Sequence, residues 1–94
     1  MDAFNQIASK IIKEQELIIG PVAWSQAQKV SGITIIDMKI GTVSVQDENG
    51  QIIIDQLVSQ YEHLFGRASR EVCKEAAATL IADLSPSEVP SSLR

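Results

Sequence analysis

Cysteine is nearly absent from this sequence. Cys73 stands alone, so no disulfide can form within the chain and no cysteine-rich zinc site can be built. Histidine is equally scarce, with His63 as its one representative, and no Ser/His/Asp or Cys/His set suggests an activated nucleophile. Aromatic side chains number four: Phe4, Trp24, Tyr61 and Phe65. The core must therefore be aliphatic, and thirteen isoleucines supply most of it. Positive charge is also short. Eight Lys and Arg against twelve Asp and Glu leave a net charge of −4, which argues against broad electrostatic binding to nucleic acid or to an anionic membrane. No apolar run approaches the length of a membrane span. The first residues lack the basic and apolar segments of a signal peptide, so the expected location is cytoplasmic.

Glycine-rich phosphate loops and dinucleotide fingerprints are missing as well. Asp47-Glu48-Asn49-Gly50 concentrates acidic residues but lacks the alternating ligands and closing Glu of a calcium loop, and reads as a turn. No metal or cofactor is expected. The chain reads as a non-enzyme.

What is present is periodic. Asp2 is a candidate N-cap for a helix whose Phe4, Ile7, Ala8, Ile11, Ile12, Ile18 and Ile19 recur at helical spacing. Gly20-Pro21 breaks it, and proline suits the first position of a second, shorter helix reaching Val30, which buries Val22, Ala23 and Ala27. Ser31-Gly32 closes that helix. Ile33-Thr34-Ile35-Ile36-Asp37-Met38 is β-prone, as a third strand or an extended connection.

Residues 41–55 then read as a β-hairpin. Gly41-Thr42-Val43-Ser44-Val45 and Gln51-Ile52-Ile53-Ile54-Asp55 flank the polar turn 46–50. Beyond it, Asp55 is a candidate cap for a third helix carrying Leu57, Val58, Tyr61, Leu64 and Phe65. After Gly66, a fourth starts at or just before Ser69 and repeats Val72-Cys73, Ala76-Ala77, Leu80-Ile81 and Leu84 every four residues.

The expected fold is α+β, two αα-hairpins flanking a central β-hairpin. One domain spans residues 1–84, and the Ser/Pro-rich residues 85–94 are expected to be a flexible tail. The two helical halves align with Gly20 on Gly66, Ile11-Ile12 on Leu57-Val58, Ile18-Ile19 on Leu64-Phe65 and Ala27 on Cys73. Duplication and the periodicity common to all αα-hairpins both account for this match.

Ile52-Ile53-Ile54 read as a strand puts isoleucine on both faces, because successive strand residues point opposite ways. A second copy would cover the face that the helices leave open, either across the sheets or by strand pairing at an edge. Val43, Val45, Ile52, Ile53 and Ile54 are the expected assembly residues of a homodimer. Trp24, beside the Gly-Pro turn, is a candidate anchor for a protein partner, with plain core as the alternative reading. Arg67, Ser69 and Arg70 are a candidate anion site at a helix N-terminus.

Two resemblances add context. Ile18-Ile19-Gly20-Pro21-Val22-Ala23, preceded by an amphipathic helix, makes residues 11–30 similar to short helical accessory segments of bacterial signalling kinases and response regulators. That implies a regulatory or docking role. Residues 51–84, a strand followed by two helices around Gly66-Arg67-Ala68-Ser69-Arg70-Glu71, resemble a ribbon-helix-helix domain. This second likeness implies a dimeric DNA reader with Gln51, Ile52, Ile53 and Ile54 at the reading positions, three of them aliphatic. The leading expectation is a homo-oligomerising interaction module in bacterial regulation. A ribbon-helix-helix-like regulator and a small-ligand sensor are the alternatives.

Overall fold

The computed structural model describes residues 3–46 and 49–93. The candidate cap Asp2 and the turn residues Asp47 and Glu48 lie outside them. In chain order the elements are α1 (Ala3–Ile19), α2 (Val22–Gln28), β1 (Ile33–Asp37), β2 (Thr42–Val45), α3 (Gly50–Phe65) and α4 (Arg67–Ile81), followed by two short 3₁₀ turns, Pro86–Glu88 and Ser91–Leu93. The architecture is α+β, with a helix pair on either side of one antiparallel hairpin.

The hairpin is built from an earlier pair of segments than the pattern suggests. β1 pairs with β2, with Ile33 opposite Val45, Thr34 opposite Ser44 and Ile35 opposite Val43. Its turn is closed by Asp37, whose side chain accepts from the Lys39 N–H at 2.9 Å and whose carbonyl accepts from the Gly41 N–H at 2.8 Å. An aspartate that bonds the backbone two residues on is a turn-former in its own right. Gly41 takes φ 77°, a conformation that favours glycine.

Residues 51–55, expected as a strand, are the opening turns of α3. The competing pattern wins because Ile53 and Ile54 continue into Leu57, Val58 and Tyr61 at three- and four-residue steps. All five are buried on one face, while Ile52 points away at 57 % exposure. A short apolar run alone does not distinguish strand from helix; the residues after it do. The paired isoleucines of β1 are resolved differently. Ile35 faces the core side of the hairpin, and Ile36 occupies a bulge between Ile35 and Asp37 that leaves it exposed.

The core is organised on α1, which packs against α4, α2, α3 and β2. Ile7, Ala8, Ile11 and Ile12 are fully buried along it. Two polar side chains tie the hairpin to the same helix: Asn5 Oδ1 accepts from the Val45 N–H at 2.7 Å, and the Ser9 hydroxyl donates to the Gly41 carbonyl. Val43 and Val45 thereby turn inward to the α1 stripe.

The C-terminal residues are docked rather than trailing free. Leu93 is 3 % exposed, and Pro90 is buried. Asp55 does not cap α3; its carboxylate accepts from the Ser91 hydroxyl at 3.0 Å and from the Ser92 N–H and hydroxyl at 3.0 and 2.6 Å. Gln51 adds a bond to the Ser87 carbonyl. Buried apolar contact and charge-assisted hydrogen bonds together offset the ordering entropy of this serine- and proline-rich stretch.

The helical register of 51–55 is directly testable. In urea unfolding, Ile53→Glu and Ile54→Glu should both abolish or gravely weaken folding, whereas Ile52→Glu should change stability by no more than about 0.5 kcal/mol. Ile53→Val should cost about 1 kcal/mol. A strand would instead group Ile52 with Ile54 against Ile53.

Candidate functional site

Both helix pairs turn at the same end of the molecule. Gly20 ends α1, its N–H bonding the Glu16 carbonyl at 2.9 Å, and Gly66 ends α3 by the same bond to Glu62 at 2.9 Å. The two turns are brought together by contacts just beneath them. Gln15 Nε2, in the last full turn of α1, donates to the Ser69 carbonyl in the first turn of α4 at 3.0 Å. The Tyr61 hydroxyl, near the end of α3, donates to the Ala23 carbonyl at the start of α2 at 2.7 Å. Gln60 Nε2 donates to Gln26 Oε1 at 2.7 Å.

The aligned halves therefore place corresponding residues at a common pole. Ile11, Ile12, Leu57 and Val58 are all buried, as are Ala27 and Cys73. Ile18 and Leu64, which correspond, are both exposed. Leu17 is 80 % exposed and Phe65 40 %; Val22 adds a third side chain beside the first turn.

Beneath the pole lies a buried polar knot. Gln15 is fully buried on the core stripe of α1 and donates to both the Ser69 carbonyl and Cys73 Sγ, the latter at 3.4 Å. Burial pushes the Cys73 thiol up from 9.0 to about 11, with the Gln15 hydrogen bond opposing and the negative charge of Glu62 adding to the rise. Burial, and then the proximity of Cys73, also holds the Tyr61 phenol well above its ordinary value. A thiol kept protonated and enclosed is unsuited to nucleophilic work. Among the described residues, Gln15 Oε1 and Trp24 Nε1 are buried without a hydrogen-bond partner.

The expected assembly residues do not form an outer surface. Val43, Val45, Ile53 and Ile54 are buried within the chain, where α1 and its neighbours already cover them; Ile52 alone is exposed. Trp24 is 1 % exposed on the inner side of α2, with Ala23 and Ala27, and cannot reach a partner as an anchor. Arg67, Ser69 and Arg70 do not converge on one anion. Gly66, not Ser69, precedes the first turn of α4, so Ser69 lies inside the helix and is buried. Arg70 leans toward Glu62 at 3.9 Å, and Arg67 is exposed. Gln15 is legible in the sequence as a polar residue four positions after Ile11, on the core stripe.

No protein-family model matches the chain, and no curated protein or solved structure is significantly similar to it. The molecule's own geometry carries the functional argument.

Two of the surface concavities lie beside these elements. An open cleft of about 710 Å³ runs between the α2–β1 connection and α3, lined by Lys29, Ser31, Ile52, Gln56 and the exposed His63. A smaller one, of about 310 Å³, sits between α1, the hairpin turn and α4. Among the described residues, no group of three His, Cys, Asp or Glu side chains is placed to hold a metal ion, and no helix is long and apolar enough to cross a membrane.

The polar knot predicts how stability depends on pH. The Cys73 pKa is raised on folding, so its contribution is fully present below pH 9.0 and is lost as pH rises through about 11. Thermal unfolding should show a midpoint that falls between pH 9 and 11, with a shallower fall in Cys73→Ala. Equal slopes in the two proteins would show that the thiol is not enclosed as described.

Proposed function

We propose that this chain is a non-enzymatic, homo-oligomerising interaction module of the kind used in bacterial regulation, assembling as a homodimer through its helix-turn end. The observation that carries this reading is the concentration of exposed apolar side chains there: Leu17 at 80 %, Ile18 at 63 %, Leu64 at 46 %, Phe65 at 40 % and Val22 at 38 %. Summed over the five, the exposed apolar-residue surface at this end is on the order of 500 Å². That is more than half of the roughly 800 Å² per partner of a standard interface.

A second copy is the favoured occupant because α1 and α3 both end at this pole in an apolar pair, Ile18-Ile19 and Leu64-Phe65. Similar apolar residues end α1 and α3, so an isologous contact can seat the α1 end of each copy on the α3 end of the other. The segment Ile18-Ile19-Gly20-Pro21-Val22-Ala23, similar to accessory segments of bacterial signalling proteins, forms one of the two turns at this pole and supports a docking role. A ribbon-helix-helix reading would require an exposed strand at 51–54, residues that lie in α3.

Light scattering at low micromolar concentration should return about twice the 10.2 kDa chain mass. The double variant Leu17→Glu/Phe65→Glu, altering exposed positions only, should return the single-chain mass with an unchanged circular dichroism spectrum. A native protein of single-chain mass would overturn the proposal.

A further inference from the structure

We infer that the cavity between α1, the hairpin turn and α4 binds a small carboxylate carried on a short aliphatic stem. The cavity, at about 310 Å³, has the size of a small-molecule site and is lined on its polar side by Gln6, Lys10, Lys13 and Thr42 and on its apolar side by Ile40 and Leu80. Its two walls are fastened to each other. The Ser9 hydroxyl bonds the Gly41 carbonyl at the turn, and Asn5 holds the Val45 N–H at the far end of β2, so the strand is fixed to α1 at both ends.

The cation is placed by the same contact. The Lys13 stem lies across Gly41 so closely that a Cβ there would collide with Lys13 Cε, and a methylene chain packed against backbone holds its ammonium at the cavity wall. Among the described residues Lys13 has no ion-pair partner, in a chain that carries more acids than bases. Lys10 also lines the cavity but is paired with Glu14 at 3.1 Å. The local excess is therefore close to one positive charge, which matches a monoanion better than a phosphate dianion. The side chains of Gln6 and Thr42 make no hydrogen bond among the described residues, although their backbones are paired in α1 and β2, and they can donate to the second carboxylate oxygen. Ile40, 66 % exposed in the free protein, and half-buried Leu80 supply the wall on which an aliphatic stem would lie.

Two sources offer this chemistry: a free short-chain acid and the C-terminus of an apolar peptide. Amide chemical-shift titrations of the full chain distinguish them, using acetate, butanoate and hexanoate, the neutral hexanamide, inorganic phosphate, and an N-acetylated Ala-Leu dipeptide as acid and as amide. Saturable shifts at Ser9, Gly41 and Thr42 are expected, tightening from acetate to hexanoate, with phosphate weaker than hexanoate. Saturation by the dipeptide acid but not its amide would extend the site to peptide C-termini; saturation by hexanoate alone would assign it to free acids. Lys13→Ala, at an exposed position, should weaken hexanoate about tenfold while the rest of the spectrum is retained. Equal shifts from hexanoate and hexanamide, shifts that stay linear into the tens of millimolar, or shifts centred elsewhere would overturn the inference. The acid-against-amide comparison decides it even if the variant fails to fold.

Discussion

Everything in this fold leans on one helix. α1 buries Ile7, Ile11 and Ile12 completely and touches the other three helices and strand β2. A chain of 94 residues with four aromatic side chains has little volume to spend on separate cores. A single aliphatic helix shared by all its neighbours solves that problem. The cost falls on polar groups, because a helix surrounded on several sides must satisfy whatever hydrogen-bonding side chains it carries inward. Gln15 does so for its amide nitrogen, which donates to the Ser69 carbonyl and Cys73 Sγ while its Oε1 stays unpartnered among the described residues. Asn5 and Ser9 do so by bonding the hairpin backbone.

That arrangement turns the hairpin inward. Val43 and Val45 serve the monomer's core, and the two-stranded sheet is a flap laid along α1, not a platform. Apolar exposure is displaced to the hairpin tip, at Ile36, Met38 and Ile40, and above all to the end where both helix pairs reverse. Helix-ending glycines with apolar residues beside them create this end. Gly20 and Gly66 stop each helix while Ile18 and Leu64 are still on the surface. The proposed assembly surface is thus a by-product of where the helices stop, and the proposed ligand cavity of how the flap is pinned.

Much of this was legible from periodicity. α1 and α2 fall where the apolar spacing and the Gly20-Pro21 break put them, and α4 follows its four-residue repeat once Gly66 ends α3. The order of helix pairs around a hairpin was legible too. The strands were not, because Ile52-Ile53-Ile54 satisfies a buried strand and a helix stripe equally until Leu57 and Val58 are counted with it. Asp55 illustrates a different limit. Its caps and turns are local chemistry, readable from neighbours, but its actual partners Ser91 and Ser92 stand 36 and 37 residues away. The same distance hid the docking of residues 85–93, whose composition alone argues for disorder. Trp24 and Ser69 stand beside turns in the sequence, where anchor, cap and core read alike, and helix phase carries both inside.

The central claim is that this protein associates through the end where its helix pairs turn. Amide hydrogen exchange measured across a dilution series, from concentrations that favour association to those that favour the single chain, tests it most directly. The account predicts that residues 17–22 and 64–68 gain protection as concentration rises, with the hairpin and the α1 core unchanged. Protection gained instead along β1, or none at any concentration, would contradict it.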